Sequence, residues 1–251
     1  MSFHWYGFLV GCAVLVGGWI AELKARKYKV DSAFFERALW VCISVGFISA
    51  RLWHVMTEIT FYADNLMDIF FVWQGGMSII GGVVGSVLAL LIYAHAQRRA
   101  AYVWQFLDIA TFALPVAQAI GRLGNYVNQE LFGVPTELPW KIFITVENRP
   151  VQFQNQSYFH PLFAYEMIAT LCFAGCLWML EQKKYDLHVG SGTLAQVYIV
   201  YYAVVRFGLD FLRPDRGVLL YNLGFNQVFL LGVLIVFCVL LLRKVRLWYA
   251  V

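Results

Sequence analysis

The sequence predicts an all-α integral membrane protein with seven transmembrane helices, its N-terminus outside and its C-terminus cytoplasmic. Three observations carry this. Of 251 residues, 61% are apolar and 14% charged, against about 45–50% and about 25% in a soluble domain. Four runs, 5–21, 69–97, 187–205 and 217–242, hold no Asp, Glu, Lys or Arg, and each approaches or exceeds the roughly 20 apolar residues that cross a hydrocarbon core. The connecting segments alternate in basic content. Segments 23–37, 97–103, 182–189 and 243–251 hold 12 Lys/Arg between them, whereas 58–75, 123–159 and 212–224 hold 4. Positive-inside bias puts the first set in the cytoplasm.

The elements follow in order as helices over 3–22, 35–57, 76–97, 104–122, 160–181, 190–211 and 225–243. The first has no basic segment before it and no small-residue cleavage site after it, so it reads as a mature span rather than a signal peptide. The second, fourth and fifth reach full length only by admitting a charge: Arg51, then Asp108 and Arg122, then Glu166. The third opens Gly75-Gly76-Met77-Ser78, a flexible lead-in, and carries Gly81 and Gly85 as a face for tight packing. No alternating strand pattern competes, which excludes a membrane β-barrel. The chain reads as a single membrane domain over 1–251 with an extracytoplasmic arm at 123–159.

A soluble enzyme, a disordered chain and a disulfide-stapled module are excluded by composition. The net charge of +4 is the topological signal, with no nucleic-acid patch in it. Cys12, Cys42, Cys172, Cys176 and Cys238 all fall inside predicted helices, and their spacing suits neither a metal nor a redox pair. There is no internal repeat, which disfavours an inverted-repeat transporter.

Six charges sit where a bilayer disfavours them: Arg51, Asp108, Arg122, Glu166, Arg206 and Asp210. Each costs about 2.5–3.5 kcal/mol at full depth. Such groups persist by pairing with one another or by facing a hydrated cavity that binds something. Both accounts are open for Arg51. Tyr202, Arg206 and Asp210 share one helix face at i, i+4 and i+8, where an intrahelical Arg206–Asp210 pair would satisfy both charges. The densest polar patch runs Gly121-Arg122-Leu123-Gly124-Asn125-Tyr126-Val127-Asn128-Gln129-Glu130-Leu131-Phe132-Gly133. A helix cap with a polar loop does not need Arg, two Asn, Gln and Glu within nine residues. A guanidinium at headgroup depth is suited to forking onto a phosphate.

These residues resemble the bacterial prolipoprotein diacylglyceryl transferases. The stretch from Gly121 through Gly133 is similar to that family's signature. Further matches run from His4-Trp5-Tyr6-Gly7 through Gly75-Gly76-Met77-Ser78, Asp108, His160-Pro161, Tyr165-Glu166, Tyr202, Arg206 and Asp210–Asp215 to Gln227. The resemblance implies a multi-pass enzyme of the bacterial inner membrane that moves the diacylglyceryl group of phosphatidylglycerol onto the lipobox cysteine of a preprolipoprotein signal peptide. A thioether forms and glycerol phosphate leaves, in lipoprotein maturation, without a metal or organic cofactor. It implies catalytic roles for Arg122, Arg206, Tyr6 and Tyr202, and substrate-binding positions at Arg122, Asn125, Asn128, Glu130, Asp108, Glu166 and Asp210, with the acidic groups orienting the arginines and asparagines.

Three positions depart from the family pattern. Ile80 stands where many members carry a histidine considered a base, Gln74 where an acid is common, and Asp210 where Glu is usual. His160 is then the candidate for the base. The alternative is a non-catalytic lipid-binding relative that keeps the arginines without the chemistry; a channel using buried arginines for anions leaves the signature unexplained.

Overall fold

The computed structural model describes residues 5–249 except 64, 184, 221 and 222; His4 lies outside the described residues. Eight α-helices are described: α1 (Trp5–Lys27), α2 (Ser32–Thr57), the short α3 (Ile59–Ala63), α4 (Ile79–Ala96), α5 (Tyr102–Val127), α6 (Leu162–Gln182), α7 (Thr193–Asp210) and α8 (Phe225–Tyr249). Two small antiparallel ribbons decorate one end: β1 (Ile142–Phe143) with β2 (Tyr158–Phe159), and β3 (Val218–Leu220) with β4 (Leu223–Gly224).

Among the described residues six helices are long and apolar enough to cross a membrane: α1, α2, α4, α5, α6 and α8. The chain is a helical, multi-pass membrane protein. The expected span over 190–211 forms as α7 but is not among the six. Its 18 residues include Gln196, Tyr198, Tyr201, Tyr202, Arg206 and Asp210, a polar load that it turns inward against α5, α6 and α8.

Burial is inverted relative to a soluble protein. Large apolar side chains such as Leu15, Trp19, Ile92, Trp178 and Ile235 are exposed, as lipid contact demands, while small ones are buried. The buried positions of α1 are Ala13, Gly17, Ala21 and Ala25, one stripe at i, i+4. With lipid as apolar as leucine, helices associate by close backbone approach. A Cβ on Gly17 would lie 3.2 Å from the Cβ of Ala117 in α5. On α2 and α4 the same close approach sets Cys42 and Gly46 against Ser86, Ala50 against Gly82, and Ser49 against Gly81 and Gly85. Phe34, Phe35, Leu90, Phe106 and Ile109 close the core near the α1–α2 and α4–α5 turns.

Helix ends overrun the apolar runs. α1 continues to Lys27, where Arg26 pairs with Glu22 one turn back, and Lys24 and Lys27 pair with the buried Glu181 of α6. α2 starts at Ser32 because Asp31 caps it, its carboxylate accepting the Phe34 N–H at 3.1 Å. That hydrogen bond and the Arg99 guanidinium hold the Asp31 carboxyl below its ordinary pKa. α5 continues five residues past the expected end at 122, so Arg122 and Asn125 stay on one helix.

Gly17→Leu forces atoms into the α1–α5 contact and is expected to destabilise the protein by about 1–3 kcal/mol, read as a lower thermal-unfolding midpoint in detergent.

Candidate active site

Three neighbouring helices deliver one charge cluster. Glu166, one turn into α6, is fully buried. Its Oε1 accepts from Arg122 of α5 and from the Tyr202 hydroxyl of α7 at 3.1 Å, and its Oε2 accepts from Nη1 of Arg206, also at 3.1 Å. The side chains of Arg122 and Arg206 are 18% and 17% exposed. Arg206 therefore pairs across helices with Glu166, and the intrahelical Arg206–Asp210 pair does not form. Two guanidiniums on one carboxylate leave the cluster with a net positive charge. The Nε–H of Arg122 is buried with no hydrogen-bond partner among the described residues, a costly state for a donor unless an acceptor is brought to it.

The signature stretch builds the rim. Nη1 of Arg122 donates to Oδ1 of Asn125 at 3.0 Å. The amides of Asn125 and Asn128 both donate to Glu130, each at 3.2 Å. The backbone here does cap the helix. The Glu130 N–H reaches the Asn125 carbonyl at 2.8 Å and the Gln129 N–H the Tyr126 carbonyl at 3.0 Å, the paired bonds of a Schellman turn. Gln129 takes the left-handed position (φ 54°) that glycine usually fills. Because the backbone satisfies its own carbonyls, the polar side chains of the patch are free for other work. Gly124 admits the Tyr6 ring from α1: a Cβ there would sit 2.8 Å from Cδ2 of Tyr6. The glycine is what brings that phenol beside the Arg122 turn.

Two other expected residues have partners of their own. Asp108 sits 14 residues before Arg122 in α5, about 21 Å along the axis at about 1.5 Å per residue. It accepts from the N–H groups of Gly190 (2.8 Å), Gly192 (2.7 Å) and Ala195 (3.0 Å), capping α7 from a neighbouring helix. Asp210 is buried at the far end of α7 from that cap; its nearest cation is Arg213, with Nε 4.0 Å from Oδ1. Arg213 itself forks onto Asp215 at 2.9 and 2.6 Å and holds that carboxyl below its ordinary pKa.

His160 stands where the arm meets α6. Its Nδ1 is 3.1 Å from the Tyr165 hydroxyl, which also accepts from the Trp140 indole at 2.7 Å. An indole only donates, so the Tyr165 proton is left to go to Nδ1. Burial lowers the His160 pKa, favouring this neutral state with the proton on Nε2. Its free lone pair is thus spent on the Tyr165 hydroxyl, and among the described residues no hydrogen bond joins it to the arginine cluster. The missed partner is Trp140: nothing in sequence spacing links it to residues 160 and 165.

Arg51 forms no ion pair among the described residues either. Its guanidinium donates to the backbone carbonyls of Ile69 (2.8 Å), Gly75 (2.6 Å) and Gly76 (2.8 Å). The Gly75-Gly76 lead-in is therefore gripped rather than loose. Gly76 has φ 75°, and a Cβ there would fall 2.6 Å from Nη1 of Arg51. Ile80 follows at the first turn of α4 and is 57% exposed, so its neighbourhood is open rather than packed.

The family model for prolipoprotein diacylglyceryl transferases matches residues 1–243. Among similar proteins is the phosphatidylglycerol–prolipoprotein diacylglyceryl transferase of Thermosynechococcus vestitus, 36% identical over 86% of this chain and 79% of its own length. Those so named from Synechococcus elongatus and a Synechocystis species are 36% and 35% identical, over 86% and 85% of this chain and 74% and 76% of their own.

Glu166→Gln keeps the shape and removes the charge between two guanidiniums. It is expected to cost about 3 kcal/mol, seen as a lower unfolding midpoint in detergent; an unchanged midpoint contradicts the central place of this carboxylate.

Proposed function

We propose that this chain, which belongs to the prolipoprotein diacylglyceryl transferase family, transfers the diacylglyceryl group of phosphatidylglycerol to the lipobox cysteine of a preprolipoprotein signal peptide. Glycerol phosphate is released. The observation that carries the reading is the pair Arg122 and Arg206 converging on Glu166, net positive and with one buried N–H unpartnered. It is a cluster shaped to take a phosphodiester.

The chemistry follows from that charge. The cysteine sulfur attacks the diacylglycerol carbon bonded to the phosphate oxygen; a C–S bond forms as the C–O bond breaks, and the electron pair leaves on glycerol phosphate. The phosphate group goes from one negative charge towards two. Guanidiniums fixed beforehand in a site shielded from water bind the second charge better than the first, and that difference lowers the barrier. The attacking thiol, with an ordinary pKa of about 8.5, must reach the thiolate, and the same positive field favours it. Tyr6, Tyr202 and Asn125 offer further donors to the headgroup. Glu166 and Glu130 hold arginine and asparagines in place, with Asn128. His160 belongs to the arm's attachment and Asp108 caps α7, whereas Asp210 lies one turn beyond Arg206 on α7.

We place the enzyme in the bacterial inner membrane as one domain. α7 crosses as a seventh span inside the bundle, the N-terminus and the 123–159 arm lie outside, and the C-terminus is cytoplasmic. The end of α5 that carries Arg122 then meets the outer headgroups, where the lipobox of an exported protein arrives.

The test is reconstitution of the purified protein with phosphatidylglycerol and a lipobox peptide, with mass spectrometry for the thioether-linked lipopeptide. Product that requires the peptide's cysteine is expected; none, beside an active relative, favours a non-catalytic lipid-binding protein. Arg122→Ala is expected to abolish product while the protein still inserts and purifies. Ile80→His is expected to leave the rate unchanged or higher, since position 80 lies at the exposed first turn of α4, where a histidine displaces no packed neighbour.

A further inference from the structure

Beside the arginine cluster lies a cavity of about 540 Å³, walled by Asn125, Gln129 and Glu130 from the end of α5, by Phe163 of α6, and by Lys141 and Phe143 of the arm. Asn125 is common to both sites, accepting from Arg122 and donating to Glu130. One wall is a backbone edge. The Ile144 N–H donates to the Ser157 carbonyl at 3.1 Å on the β2 side. Successive residues of an antiparallel strand turn their hydrogen-bonding groups to opposite sides, so Phe143 directs its N–H and C=O away from β2.

Thr145, two residues on, marks where that outer side lies. Its N–H donates to the side-chain carbonyl of Gln129 at 2.7 Å, and Gln129 is a wall of the cavity. The left-handed backbone at Gln129 is a sparsely populated conformation for a residue with a side chain, and that side chain reaches the arm. At Thr145 an amide carbonyl already occupies the place of a neighbouring strand's carbonyl. At Phe143 the same edge faces the cavity.

We infer that this edge of β1 receives the extended segment of the protein substrate that follows its acceptor cysteine, paired backbone to backbone at Phe143. The inference rests on the transferase reading above. The arginines take the phosphate, and the acyl chains stay in the lipid. The thiol has to reach the adjoining carbon, so its chain must pass the rim at Asn125. Residues before the cysteine belong to the membrane-embedded signal peptide, whereas those after it emerge on the arm's side. Walls that set Glu130, Lys141 and amides beside Phe143 and Phe163 suit a peptide, with its polar backbone and mixed side chains, better than a second acyl chain, which would leave those polar groups unpaired. Strand addition of this kind takes its affinity from main-chain hydrogen bonds and asks little of side chains.

The test uses the full-length enzyme in phosphatidylglycerol-containing nanodiscs and lipobox peptides N-methylated one position at a time. Methylation of the first or second amide after the cysteine is expected to raise the peptide KM about tenfold, the scale of one or two lost hydrogen bonds, with the phosphatidylglycerol KM unchanged. Methylation three or four residues before the cysteine is expected to have a smaller effect. Phe143→Pro deletes an outward N–H that β2 does not use and keeps the outward carbonyl, and is expected to raise the peptide KM similarly while the methylation penalty persists. If that variant fails to accumulate, the peptide series with the unaltered enzyme decides alone. Equal penalties on both sides of the cysteine, or a penalty only before it, overturn the inference. Absence of transfer to the unmethylated peptide contradicts the transferase reading itself, and this inference with it.

Discussion

A single buried carboxylate, that of Glu166, is the interaction on which the rest of the structure turns. Arg122 and Arg206 arrive from different helices, and neither has a neighbour on its own helix that neutralises it. Bringing two guanidiniums together inside a membrane protein is prohibitive without an anion between them. Glu166 supplies one negative charge, enough to let both cations assemble and too little to cancel them. The Tyr202 hydroxyl fills further accepting capacity on the carboxylate. What remains is a positive site whose donors are fixed before any ligand arrives, the condition for electrostatic preorganisation.

The helix packing serves that assembly. Small residues let α1 lie close along α5, and Gly124 extends the same contact until the Tyr6 ring rests against the Arg122 turn. Past that point the chain has to leave the helix without burying unpaired carbonyls. The Schellman turn through Asn128, Gln129 and Glu130 does this with backbone alone, which frees Asn125, Asn128 and Glu130 to bond to each other. The arm is then stitched to the start of α6: the Gly133 N–H meets the His160 carbonyl at 2.8 Å and the Phe163 N–H the Leu131 carbonyl at 2.9 Å. Clamp, rim and arm are therefore mechanically continuous.

Much of this was legible in the sequence because it is local. Apolar stretches pointed to seven helices, six of which are long and apolar enough to cross a membrane, and Arg122 and Asn125 are one turn apart in any helix that reaches them both. What was not legible depends on which helices become neighbours. Arg206 has an acceptable partner four residues away in Asp210, and only the packing of α6 beside both α5 and α7 gives it Glu166 instead. Asp108 looks like another member of the site until the fold shows that it caps α7 from across the interface. Arg51 looks like half of an ion pair because its backbone-carbonyl partners carry no sequence signal. α7 reads as a span by its lack of charge over 187–205, yet its tyrosines, Gln196 and Arg206 make it the polar interior helix of the bundle.

The central claim is that Arg122 and Arg206 act as one unit on one phosphate. A double-mutant cycle tests it most directly: phosphatidylglycerol affinity of the purified protein in nanodiscs, measured for Arg122→Lys, Arg206→Lys and the double variant. Lysine keeps the charge and loses the fork. The account predicts strong non-additivity, the second substitution costing far less than it does alone, because the first already breaks the shared geometry. Additive losses would mean that the two arginines bind independently, and would contradict the clamp.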